Sequence, residues 1–255
     1  RHSITKMSHV HFVANETYRQ RVIQLGENPE RVFNYGEIEL DNITRLKLLD
    51  REALEQTIDF KFKSMVFLVT YHPATLSYNS EQAMSALLGA LDQFPEASII
   101  FTKPNADTNG RVLIRMIDEY VKKQPGRAKA FTSMGQLLYL SAIKNADVVI
   151  GNSSSGITEV PALNKPTVNV GNRQKGRLRA SSVIDCEENE EQIISAIQTA
   201  LSTEFQASLR QLPSPYGDGN SSILIKERLK TVALKGIIAK KFYDLELVKT
   251  NHHTR

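Results

Sequence analysis

His72, Ser153, Ser154, Glu159 and Arg173 could together hold a phosphorylated ligand and move a proton, and all five follow short apolar runs. His72-Pro73 closes the run Met65-Val-Phe-Leu-Val-Thr-Tyr71. An imidazole can shuttle protons near neutral pH. A histidine merely satisfied at a strand end would leave the same trace. Gly151-Asn-Ser-Ser-Ser-Gly156 follows Asp147-Val-Val-Ile150. Such a loop lets N–H groups and hydroxyls approach a phosphate, and a helix starting near Ser155 would add partial positive charge. An ordinary serine-capped turn has the same composition. Glu159 can accept the two vicinal hydroxyls of a ribose, or sit in the first helical turn as an acid favoured there by the dipole. Arg173, Lys175, Arg177 and Arg179 form a basic cluster. The planar fork of arginine matches a diphosphate, whereas Lys175 and Arg179 read better as solvated loop residues. Lys103-Pro-Asn105-Ala-Asp107 and Ser133-Met134-Gly135 end two further runs.

The elements that must position these residues are legible in the pattern. From Ser64 onward, apolar runs alternate with helical stretches: strands at 65–71, 97–102, 129–132, 147–150, 167–170 and 182–185, helices at 81–94, 111–123, 135–144, a short one from about 155, and 190–201. That alternation predicts βαβ units in a parallel sheet with helices on both faces. In such sheets ligands bind beyond the carboxyl ends of the strands, where all the residues above fall. Upstream, the spacing predicts a helix in 1–10, a strand at 9–14, a helix at 16–26 ending at Gly26, and a strand at 31–36, then a polar connection over 41–62. Residues 203–221 read as loop, and two helical stretches follow, the last at about 237–249.

Bulk properties exclude several classes. A hydrophobic fraction of 41% and a charged fraction of 24% are those of a globular protein, and no run approaches a membrane span. The net charge of +4 suits a small anion and shows no basic run with interleaved aromatics, so neither nucleic acid nor membrane is expected as a partner. The single cysteine, Cys186, excludes an internal disulfide framework and fits a cytoplasmic location; it reads as a packed strand-end residue. His2, His9, His11, His252 and His253 show no metal-ligand constellation, so no metal is expected.

Taken in order, these motifs resemble one family. Gly151–Gly156 with Glu159, Pro166-Thr-Val-Asn-Val-Gly-Asn-Arg-Gln-Lys-Gly-Arg177, Arg1-His-Ser-Ile-Thr-Lys-Met-Ser-His9, Tyr71-His-Pro-Ala-Thr75, Lys103–Asp107 and Tyr216-Gly-Asp-Gly-Asn220 are similar to the hydrolysing UDP-N-acetylglucosamine 2-epimerases of sialic-acid synthesis. The resemblance covers nearly the whole chain. It implies a Rossmann-like α/β domain, the second half of a two-domain glycosyltransferase-B-like architecture. It also implies that Ser153 and Ser154 bind diphosphate, that Glu159 binds the ribose, that Asn105 and Arg173 contact UDP, that the backbone near Met134 contacts uracil, and that His72 faces the sugar as the catalytic residue. The implied reaction converts UDP-N-acetylglucosamine and water to N-acetylmannosamine and UDP, through elimination to a 2-acetamidoglucal and hydration. It calls for no cofactor, and a homo-oligomer is expected of the full-length enzyme.

The family carries a first domain upstream. The chain does not begin with Met and reads as a fragment or processed product. Residues 1–45 are expected to finish the first domain and link onward, 46–233 to form the UDP-binding domain, and 234–255 to return to the first domain as a helix and tail. Alone, the fragment is expected to be inactive. The resemblance leaves open a non-hydrolysing 2-epimerase, an epimerase for a 4,6-modified UDP sugar, and a non-catalytic nucleotide-binding module. Arg111, Lys123, Thr132 and Ser133 match the feedback site of the animal members without its charge pattern, so inhibition by an activated sialic acid is not expected.

Overall fold

The computed structural model describes residues 1–73, 80–105, 108–209 and 214–245. Ala74, Thr75, Asp107, the stretch 246–249 and His252–His253 lie outside them. In chain order the elements are α1 (His2–Met7), β1 (His11–Val13), α2 (Glu16–Gln24), β2 (Val32–Asn34), α3 (Asp41–Arg45), α4 (Arg51–Ile58), β3 (Met65–Thr70), α5 (Ser80–Asp92), β4 (Ala97–Thr102), α6 (Thr108–Lys123), β5 (Ala128–Phe131), α7 (Gly135–Asn145), β6 (Val148–Gly151), α8 (Glu159–Ala162), β7 (Thr167–Val170), β8 (Val183–Cys186), α9 (Glu190–Leu201), α10 (Thr203–Ser208) and α11 (Ser221–Thr231). No described helix is long and apolar enough to cross a membrane.

Contacts divide the chain into two compact units, Asn42–Pro215 and, separately, Arg1–Asp41 together with the described residues from Tyr216 onward. Residues 216–233, which the resemblance assigns to the nucleotide domain, cluster with the amino-terminal segment.

The larger unit holds a six-stranded, all-parallel sheet in the order β5-β4-β3-β6-β7-β8. Its strands are nearly continuous apolar runs because both faces are covered. The two-residue period splits them: Phe67, Val69, Ile99, Phe101, Val148 and Ile150 pack beneath α5, α6 and α9, while Val66, Leu68, Ile100 and Val149 pack beneath α4 and α7. The order starts at β3, runs outward through β4 and β5, then restarts on the other side at β6. The switch point therefore lies between β3 and β6, and the crevice that parallel sheets offer to ligands opens there.

The smaller unit has a two-stranded parallel sheet with His11 opposite Val32 and Val13 opposite Asn34, joined through α2. Phe12, Phe33 and Tyr35 stack at 5.6–5.8 Å, and Arg228 lies 4.4 Å over the Phe33 ring. Two sequence expectations need correction. Residues 203–221 are not all loop, because Ser202 accepts from Phe205 N and starts α10. The short helix expected from about Ser155 is there as a 3-10 turn (Ser154–Gly156) followed by the four-residue α8. Residues 237–245 of the expected last helix are not helical. There Lys240 Nζ donates to the carbonyls of Lys6 (2.9 Å) and Ser8 (2.6 Å), at the end of α1, and pairs with buried Glu27 at 2.6 Å; Tyr243 N donates to Gly26 O. These tertiary partners outweigh a weak local helical pattern.

Candidate nucleotide site at the sheet switch point

All six strands of the large sheet run the same way, so their carboxyl ends share one edge. Along it the candidate residues follow spatial order: Met134 after β5, Asn105 after β4, His72 after β3, Asn152–Ser154 after β6 and Arg173 after β7. The chain order suggests that His72 and the serine loop are three strands apart. The sheet makes them neighbours, because β3 pairs with β6, Thr70 opposite Gly151.

Gly151 permits that closeness. Its φ is +135°, and a Cβ there would lie 2.1 Å from Thr70 O. Asn152 follows, 1% exposed. Its N donates to Thr70 O, its Oδ1 accepts from His72 N at 2.8 Å, and its Nδ2 donates to His72 O at 2.8 Å. Its carbonyl accepts from Arg173 at 2.9 Å and from Gln174 Nε2 at 2.8 Å. Gln174 is itself buried, and its Oε1 accepts from Arg177.

Ser153 and Ser154 are half-buried, and their main-chain N–H groups make no hydrogen bond among the described residues. Ser153 Oγ accepts from Ser155 N, and Ser155 meets the Tyr139 hydroxyl. Burial pushes the Tyr139 pKa up, hydrogen bonds to Ser155, Thr70 and Ser153 oppose this, and the Glu159 charge adds to it. Tyr139 thus supports the loop from α7, with the Glu159 carboxylate nearby. Because the helix after the loop is so short, its dipole contributes little; N–H groups and hydroxyls must hold an anion.

Arg173 uses one of its N–H groups on Asn152 and keeps much of its side chain in solvent. Partial burial and then the charge of Arg177 hold its pKa below the usual arginine range. Two cations packed this way gain from a dianion between them. Arg179 is paired with Asp185 at 2.9 Å, and Lys175 is exposed. Asn105 is exposed, and buried Met134 lies immediately before α7, with Ser133 Oγ accepting from Gly135 N. Cys186 is pushed to about 12 by burial and by Asp185 and Glu187, so it stays a thiol. No three His, Cys, Asp or Glu side chains gather as metal ligands among the described residues.

Sequence reasoning missed Asn152, Gln174 and Tyr139 as parts of the site, and the Tyr71–Glu188 hydrogen bond (2.6 Å) that ties β3 to the segment after β8. Only one signal was available: an asparagine directly after a buried strand, where a bare turn would serve as well with serine.

The chain is similar in sequence and fold to known proteins. The family described as UDP-N-acetylglucosamine 2-epimerase matches residues 1–230. A GDP/UDP-N,N'-diacetylbacillosamine 2-epimerase (hydrolyzing) from Campylobacter jejuni is 43% identical over 247 residues, 96% of this chain and 64% of that protein. A polysialic acid biosynthesis protein P7 from Escherichia coli is 36% identical, covering 99% of this chain and 64% of that protein. The crystal structure of a UDP-GlcNAc 2-epimerase from Neisseria meningitidis bound to UDP-GlcNAc has a TM-score of 0.75 at 18% identity, over 89% of this chain and 63% of that one, and supports the fold. The chain spans just under two thirds of the curated relatives it matches. By its match across nearly its whole length, and by its identity to these proteins, the chain belongs to the UDP-N-acetylglucosamine 2-epimerase family.

Proposed function

We propose that this chain supplies the nucleotide site of a hydrolysing 2-epimerase acting on a UDP-linked 2-acetamido sugar. The observation that carries the reading is the juxtaposition, at one switch point, of His72, the Ser153–Ser154 N–H groups and Arg173. In this reading Ser153, Ser154 and Arg173 hold the diphosphate, Glu159 the ribose, Asn105 a further UDP contact and the backbone at Met134 the uracil. His72 faces C2 of the sugar.

The reaction balances in two steps. A base takes the C2 proton, the C1–O bond breaks, and UDP leaves with that electron pair, giving a C1=C2 glycal. Water then adds, hydroxyl to C1 and proton to the opposite face of C2, and the free 2-epimer leaves. Fixed N–H groups and Arg173 lower the barrier by stabilising charge that grows on the diphosphate as C1–O breaks.

The sugar is read as a 4,6-modified one, UDP-N,N'-diacetylbacillosamine. A relative at 43% identity and one from Legionella pneumophila at 34% are named for that sugar, against 31% for a UDP-N-acetylglucosamine 2-epimerase from Neisseria meningitidis. UDP-N-acetylglucosamine giving N-acetylmannosamine for sialic-acid synthesis is the second reading, favoured by the similarity to the polysialic acid protein. The smaller unit exposes Ile4, Met7, Leu234, Ile238 and Phe242. We read it as part of a domain whose remainder corresponds to the third of the relatives that this chain does not match. Turnover should then need the protein expressed from its complete gene, while the 255-residue chain binds UDP weakly.

The test gives both nucleotide sugars to the complete protein in deuterated water. Free 2-epimer with one deuteron at C2, and UDP, are expected. A product that keeps its UDP would replace this reading by a non-hydrolysing one, and no product with bound UDP would leave a nucleotide-binding module.

A further inference from the structure

Asn152 makes more connections at this edge than any role in binding UDP requires. Its side-chain amide faces the His72 peptide and satisfies both its N–H and its C=O at 2.8 Å. A primary amide can imitate a strand's hydrogen-bonding pair, and here it extends the pairing of β3 with β6 one residue past the last backbone partner, Thr70–Gly151. The backbone of Asn152 is anchored by Thr70 O on one side, and its carbonyl takes Arg173 and Gln174 on the other. With the residue 1% exposed, water is a poor substitute for any of these partners.

We infer that Asn152 is a positioning residue, which holds the catalytic histidine and the diphosphate arginine in one frame. This rests on the reading of His72 given above. The two connections differ in kind. His72 is held through the side chain of Asn152, and Arg173 through its main chain. Substituting Asn152 therefore releases His72 directly and disturbs Arg173 only as the backbone relaxes. Turnover should suffer more than UDP affinity. Aspartate keeps the shape and the acceptor for His72 N, but turns the donor toward His72 O into a second acceptor, so it should recover only part of the loss.

The test is a double-mutant cycle in the complete protein with Asn152→Ala, His72→Ala and the pair, read as kcat and KM, with thermal melts and UDP calorimetry. Asn152→Ala should lower kcat about ten- to a hundredfold, shift UDP affinity less than about tenfold, and cost little further once His72 is already alanine. Asn152→Asp should fall between wild type and alanine. Fully additive losses, or equal losses of kcat and UDP affinity with a large fall in melting temperature, would overturn the inference. If His72→Ala leaves kcat unchanged, the functional reading of His72 fails instead. Should neither nucleotide sugar be turned over, NMR of the 255-residue chain decides. Shifted His72 ring resonances in a folded Asn152→Ala protein support the clamp, and unshifted ones refute it.

Discussion

Arg173 has two partners to satisfy, the Asn152 carbonyl and, in the proposed complex, a diphosphate. Because only UDP offers the second, Arg173→Ala should weaken UDP about ten- to a hundredfold, in line with charge-assisted hydrogen bonds of roughly 1.5–3 kcal/mol, and leave uridine almost unchanged. Calorimetry with the two ligands separates the cases, and equal losses would move Arg173 out of the diphosphate site. Glu159→Ala should weaken both ligands alike, since each carries the ribose; unchanged uridine binding would remove that role. The two residues are legible in sequence for different reasons. Arg173 stands out by type and cluster. Glu159 stands out only because a glycine-rich loop precedes it.

At the scale of elements, the loop after β6 depends on a position where only glycine fits. Gly151→Ala would combine a backbone conformation that costs about 1–3 kcal/mol in L residues with a Cβ driven against the Thr70 carbonyl, 2.1 Å away. Urea denaturation should show a loss at or above that range. UDP binding should fall with it, because the strain sits between the two strands that carry His72 and the serines. A variant that unfolds at the wild-type midpoint would show that β3 and β6 can part without harm. The strands and long helices of this sheet were legible because period and length agree along them. The short α10 was not, because six residues carry too little pattern to compete with neighbouring prolines, glycines and serines.

For the molecule as a whole, acid sensitivity should reside in the smaller unit. Burial pushes the Glu27 carboxyl up, but hydrogen bonds from Lys240, Lys6 and His11 overcome this and hold it at about 2, below the ordinary 4.5. The stability this contributes is complete above about pH 4.5 and is lost as pH falls towards 2. His11 is itself held below 6.5, by burial and then against the pull of Glu27, so it folds in neutral. Its contribution is likewise present above pH 6.5 and lost as pH falls through the lowered value. Amide exchange at β1 should therefore accelerate on acidification before exchange in β3 and β4 does. Glu27→Gln should remove the dependence between pH 4.5 and 2 while lowering stability at neutral pH, because Lys6 and Lys240 lose their shared carboxylate. Parallel acceleration in both units would place the acid-labile groups elsewhere.

Sequence alone determined that this is a parallel α/β sheet and pointed to the strand ends as the candidate site. Both readings are local: apolar runs report burial on two faces, and the polar and glycine-rich loops sit directly after those runs. It also determined the family resemblance, through several motifs in order. Tertiary structure decided which strand ends meet. The order β5-β4-β3-β6-β7-β8 places His72 beside the serine loop, although Asn152 at the start of that loop is 80 residues further along the chain. It also decided that Asn152 joins them, and that Lys240 lies on Glu27 after a run of turns rather than in a helix. Hydrogen bonds between residues distant in sequence leave no periodic trace, so only the folded chain can show them.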